Sequence, residues 1–368
     1  MSTALLLFFG RVGTSVVERQ LYAIKIAIGG SVLRRARDAG FAPLVAVTDD
    51  EEAARAFAKA GADVTAPRTA PFHFGQEVAG LTTTRNLDRV ATIGAGAGAL
   101  FTVAELAKLR EEVESSEALV LSNNYYSADL VAFTPTSALG VIDLPATDNP
   151  LPRRLHQQGG LSSRQLDRTA ATVFDVDTPA DAAVLKRHPA CPEELRSLEA
   201  WEPELGARID ALMQLVTTPE KELLVAGRVG APVWSYLETQ TACRVRMLAE
   251  ERGMQAAGRD ASGDARTALG FLYREIGPER FFARMGELGD GMLFDTRVLF
   301  AHLGWRASGP DRFGSDLFRA SAISEAPLAA FTAAAADVPF PLLLGGQTLV
   351  SGVLWTLVEA AWAGHPDE

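Results

Sequence analysis

The 368-residue chain has two cysteines and five histidines. Cys191 and Cys243 stand far apart in no metal-binding spacing, which excludes a disulfide framework and fits a reduced, cytoplasmic setting. The histidines (His73, His156, His188, His302, His365) are scattered, which speaks against a structural zinc site. No basic run or tail occurs, and the formal charge is −11, so a nucleic-acid backbone is not the expected partner. Small anions remain compatible, because a few arginines can bind one inside an acidic protein. Long hydrophobic runs are also scarce. Residues 4–9 are apolar but too short, and too poor in preceding basic residues, for a signal peptide; they read as a buried strand. Residues 342–362 are nearly uncharged, yet Gly345, Gly346, Gln347, Thr348 and Glu359 make a buried core or dimer helix the better reading than a membrane span.

What is present is the composition of an ordinary globular protein, 48% apolar and 22% charged. Its length calls for two domains. All five tryptophans lie at or after Trp201, and the proline-rich, charged stretch 189–219 reads as a linker. The expected division is therefore 1–188, a linker 189–219, and 220–368. In the first part strand-like runs (4–9, 44–48, 62–66, 90–93, 119–122, 130–134) alternate with helical patterns (16–39, 50–60, 103–113). That alternation predicts an α/β domain with a mainly parallel sheet covered on both faces. Its ligands should sit outside the carboxyl ends of the strands. After one short strand at 223–225, the second part reads as helical at 236–252, 264–276, 280–288, 294–303, 328–336 and 349–362. A mostly α-helical domain, able to pair two copies of the chain, is expected there.

A nucleotide site needs a strand end, a loop of free N–H groups and a helix N terminus. Gly10-Arg11-Val12-Gly13-Thr14-Ser15 has that position, with Arg11 as a phosphate partner and the glycines permitting close approach. The same residues also read as a plain turn capped by Ser15. Asn123 and Asn124 either hold a base or sugar or shape a turn. In the second part, Arg244, Arg246 and Arg259 either clamp an anionic acceptor or form ion pairs.

The ending Asp175-Val176-Asp177-Thr178-Pro179-Ala180-Asp181 resembles the D-x-D-T-P-x-D motif of nucleotidyltransferases that activate molybdenum cofactor and phospholactate, within the nucleotide-diphospho-sugar transferase superfamily. The resemblance covers roughly residues 4–188. It implies a GT-A-type fold and metal-dependent transfer of a nucleotidyl group from a nucleoside triphosphate to a small anionic acceptor, with release of pyrophosphate. By that resemblance Asp175 and Asp177 hold Mg²⁺ or Mn²⁺, Arg11 and Asp177 serve catalysis, and Gly10, Arg11, Gly13, Thr14, Asn123 and Asn124 contact the nucleotide. As a plain helix start, the same motif gives Thr178 as cap and Pro179 at the first helical position. Two departures from the family stand out. Its first loop ends in a phosphate-binding lysine, where this chain has Arg11 and a more distant Lys25. Its fourth strand is followed by a metal-binding aspartate, where this chain has Ala95, Gly96 and Ala97. The departures support an alternative, a non-catalytic binder of a nucleotide or sugar phosphate.

Overall fold

The structure is a computed structural model that describes residues 2–10, 13–198 and 201–364. Its elements, in chain order, are β1 (Ala4–Phe8), α1 (Val16–Asp38), β2 (Leu44–Val47), α2 (Glu51–Lys59), β3 (Asp63–Thr65), α3 (Phe74–Thr84), β4 (Val90–Gly94), α4 (Val103–Glu114), β5 (Leu119–Ser122), β6 (Leu130–Thr134), α5 (Leu151–Gln157), β7 (Ser162–Gln165), α6 (Ala170–Val173) and α7 (Pro179–Leu185). They continue with α8 (Glu193–Arg196), α9 (Glu202–Val216), β8 (Glu222–Gly227), α10 (Ala231–Gln240), β9 (Arg244–Ala249), α11 (Arg259–Ser262), α12 (Ala268–Gly286), β10 (Gly291–Asp295), α13 (Arg297–Leu303), α14 (Gly309–Asp316), α15 (Ala326–Ala336), β11 (Leu342–Gly345) and α16 (Gly352–Ala363).

These elements form two compact units. The first takes in β1, Tyr22–Asp175 and Pro192–Leu195; the second takes in Gly13–Leu21, Val176–Cys191 and the chain from Arg196 onward. Segments 13–21 and 176–191 thus group with the second unit, although they lie within the stretch 1–188.

The first unit holds a seven-stranded sheet in the order β3-β2-β1-β4-β6-β5-β7. β6 runs antiparallel to both its neighbours, and the other pairings are parallel. From β1 the chain moves to β2 on one side and later to β4 on the other. The strand order therefore reverses between β1 and β4, where open α/β sheets take their ligands. The central strands are buried on both faces, as in Ala4–Leu7 and the whole of β2, so they read as unbroken apolar runs. Helix termini follow the local chemistry: Asp50 caps α2, and Thr102 with Glu105 forms the capping box of α4.

The second unit corrects the expectation of a mostly helical domain. At its centre lies a four-stranded, all-parallel sheet in the order β11-β10-β8-β9. The pattern read as one helix over 236–252 is α10 followed by β9, and that over 294–303 begins inside β10. A strand buried on both faces, such as β10 or β11, has no period-two alternation to betray it. The edge strand β9 carries arginines on its exposed positions, which blurs its apolar signal. A cluster of Tyr273, Phe281, Phe282, Phe294, Phe300 and Phe331 fills the core beside this sheet. The nearly uncharged run 342–362 is likewise not one helix but β11, a turn and α16. No helix among the described residues is long and apolar enough to cross a membrane.

Candidate functional site

At the carboxyl ends of β1 and β4 the first unit opens a cavity of about 170 Å³. It is lined by Phe8, Phe9, Gly10, Lys25, the run Gly94-Ala95-Gly96-Ala97, and the carboxylates Asp129, Asp148 and Asp175. A Cβ on Gly10 or Gly94 would meet no atom of the described residues within 4 Å. Both stretches of backbone therefore face open space, as close approach of a phosphate requires. Lys25 reaches the cavity from the body of α1, so this ammonium comes from a helix rather than from a loop.

Each carboxylate arrives by a separate device. Strand β4 ends without an acid, but β6 runs antiparallel beside it and pairs Leu130 with Ile93. That register sets Asp129 opposite Gly94, whose N–H donates to the Asp129 carbonyl at 3.3 Å. The Asn123 side chain then fixes Asp129. Its Oδ1 accepts from the N–H groups of Asp129 (3.1 Å) and Leu130 (3.2 Å), and its Nδ2 donates to Asp129 Oδ2 (3.2 Å). Asp148 follows a segment laid against the start of α3, where the N–H groups of Phe74 and Gly75 donate to the carbonyls of Ala146 and Pro145. Gly75 permits this, because a Cβ there would lie 2.7 Å from Pro145 Cδ and 2.8 Å from its carbonyl oxygen. Asp175 forms an antiparallel bridge with Ala97, which fixes it beside the β4 loop. Lys25 and the three aspartates all have interactions within the protein.

Of the residues singled out from the sequence, Gly10 and Asp175 line this cavity. Arg11 lies outside the described residues. Gly13, Thr14, Asn123, Asn124 and Asp177 are not among its lining residues. Gly13 and Thr14 lead into α1: the Ser15 N–H donates to Glu18 Oε2, and the Glu18 N–H donates back to Ser15 Oγ. A Cβ on Gly13 would fall on the Glu18 carboxylate, so an acid of the chain itself sits at this helix start. Asn124 shapes a turn, its Oδ1 accepting from the Tyr126 N–H. Asn123 bonds to Asp129. Asp177 groups with the second unit, and its N–H donates to Asp181 Oδ2 at 2.9 Å. The same oxygen accepts from the Thr178 N–H and from Thr348 Oγ1, while Oδ1 has no hydrogen-bond partner among the described residues. Asp181 is fully buried, and burial, with the Asp177 carboxylate nearby, pushes its pKa up to about 7. Asp181 thus ties the Asp177 and Thr178 amides to Thr348.

The sequence assigns Asp129 and Asp148 to no site and offers Lys25 only as a more distant cation. The strand-order reversal and the antiparallel return of β6 bring them together, and neither has a local signature. In the second unit, Arg259 pairs with Glu251 through two hydrogen bonds and Arg246 pairs with Glu222, so both form ion pairs. Among the described residues no three His, Cys, Asp or Glu side chains gather so as to hold a metal ion.

No family model matches the chain, and no curated protein matches it. Similar solved structures are cytidylyltransferases and nucleotidyltransferases over about half the chain. A cytidylyltransferase from Leptospira borgpetersenii serovar Hardjo-bovis is 16% identical, with 51% of this chain and 86% of that one covered at a TM-score of 0.40. A CMP:2-keto-3-deoxy-manno-octonic acid synthetase complexed with CTP is 14% identical, covering 49% and 95% at 0.37. A nucleotidyl transferase from Methanothermobacter thermautotroptrophicus is 12% identical, covering 46% and 90% at 0.34.

Proposed function

We propose that the chain transfers a nucleotidyl group from a nucleoside triphosphate to a small anionic acceptor. An acceptor oxygen attacks the α-phosphorus, and the bond to the bridging oxygen breaks as pyrophosphate leaves. The observation that carries this reading is the cavity at the β1/β4 reversal, which combines open glycine backbone, one lysine and three aspartates. Lys25 neutralises phosphate charge, and the open backbone at Gly10 and Gly94 lets phosphate oxygens approach closely.

Three carboxylates would repel a polyphosphate unless a cation lay between them. Mg²⁺ is commonly bound by one or two carboxylates together with substrate phosphates, keeping several waters. The donor set fits that mode, with Asp175 and either Asp129 or Asp148 as its protein ligands. Asp177 is replaced in this role by cavity residues. A divalent metal held there supplies charge neutralisation and alignment of the triphosphate.

The rival reading is a non-catalytic binder, favoured by Ala95 and Ala97 where the resembling enzymes carry an acid. Metal-dependent pyrophosphate release decides between them. Thermal unfolding with each common nucleoside triphosphate, with and without Mg²⁺ or Mn²⁺, comes first. A ligand at a hundred times its Kd raises stability by about 2.7 kcal/mol. Lys25→Met should weaken triphosphate binding about ten-fold or more, the value of a charged hydrogen bond. If no triphosphate shifts the transition under any condition, the reading is wrong.

A further inference from the structure

The polar side of the cavity serves phosphates, while its Phe8 wall continues outward as an aromatic surface with no assigned partner. The Phe8 ring packs against Phe74 at 4.9 Å between centroids and against Phe72 at 6.3 Å, nearly edge-on. Phe74 is buried at the start of α3, whereas Phe72 is 49% exposed. The segment that carries Phe72, between β3 and α3, has no regular structure, yet it is held firmly. Glu77, only 1% exposed, turns its Oε1 to the N–H groups of Arg68 (2.7 Å) and Thr69 (2.6 Å) and to Thr69 Oγ1 (2.7 Å). Thr69 Oγ1 in turn accepts from the His73 N–H at 2.9 Å. Burying a carboxylate is costly unless it is fully bonded. Here that cost goes into holding a solvent-exposed loop whose outermost ring stands beside the cavity.

We propose that Phe72 is the stacking platform for the nucleobase of the bound triphosphate. The inference rests on the nucleotidyl-transfer reading above. A nucleobase is the occupant that fits: it is flat and weakly polar, and it is tethered to phosphates that the adjoining glycine, lysine and carboxylate groups receive. A ring held in place before binding loses little freedom when the base arrives. Stacking accepts any base face, so discrimination between bases should be modest and should follow stacking strength.

The test compares the full chain with Phe72→Ala, Phe72→Leu and Phe72→Trp by calorimetric titration with nucleoside triphosphates and with inorganic tripolyphosphate, all with Mg²⁺. Phe72→Ala and Phe72→Leu should each lose about ten-fold in triphosphate affinity, the worth of one base–aromatic stack, while Phe72→Trp retains it. Tripolyphosphate should bind all four proteins alike, which also reports that each is folded. Triphosphate binding by Phe72→Ala at the parent affinity overturns the platform and leaves the transfer reading intact. Parent binding no tighter for a nucleotide than for tripolyphosphate also overturns it. A parent chain that binds no nucleotide overturns the transfer reading itself.

Discussion

The N–H of Gly94 donates to the carbonyl of Asp129 at 3.3 Å, so the strand that ends without an acid has one set beside it by its antiparallel neighbour. If Asp129 shares a metal with the triphosphate, Asp129→Asn should lower metal-dependent pyrophosphate release by about a hundred-fold or more, since metal stabilisation is worth several kcal/mol. Asn123→Ala should lower it too, because Asn123 holds the backbone and carboxylate of Asp129. Steady-state assays across a metal titration measure both. Unchanged release in Asp129→Asn would remove that carboxylate from the mechanism.

Gly75 touches no ligand in the proposal, yet it controls how the segment leading to Asp148 lies. Gly75→Ala places a Cβ 2.7 Å from Pro145 Cδ and 2.9 Å from its backbone nitrogen, so the backbone itself has to shift. Destabilisation of about 1–3 kcal/mol is expected from such overpacking. Urea unfolding measures it, and nucleotide affinity should fall alongside stability.

In the second unit Arg228 and Asp295 are both buried and doubly bonded, with Nε to Oδ2 at 2.6 Å and Nη2 to Oδ1 at 3.0 Å. Asp295→Ala leaves a buried guanidinium uncompensated and should cost about 3–5 kcal/mol. Replacing both partners by apolar residues of similar volume should cost far less. A single variant as stable as the parent would show that water reaches the arginine.

Asp181 gives a pH dependence with a definite sign. Its folded pKa, about 7, stands above the ordinary 3.8 because burial outweighs the hydrogen bonds donated by Thr348 and the Asp177 and Thr178 amides. The native state therefore holds this proton more tightly than the unfolded chain. Its contribution to stability is complete below about pH 4, falls as pH rises, and is lost by about pH 7. Asp181→Asn should remove that slope, as measured by denaturant unfolding at several pH values across the window. An identical slope in parent and variant would assign it to another group.

The strands β1 to β4 and the helices α1, α2 and α4 were legible in the sequence, because each follows from the pattern within one helix or one strand. The D-x-D-T-P-x-D stretch was legible as well, and its Thr178 cap and Pro179 start are local features. The parallel sheet of the second unit was not. A doubly buried strand such as β11 and a buried helix present the same apolar run, and only pairing partners distant in sequence tell them apart. The cavity is the extreme case. Lys25, Asp129, Asp148 and Asp175 carry no shared spacing, and their meeting depends on the reversal of strand order at β1 and β4 and on the antiparallel return of β6. Local propensity marked most strands and helices of the first unit. Long-range backbone pairing, which the sequence encodes only through the whole fold, decided which charges share a site.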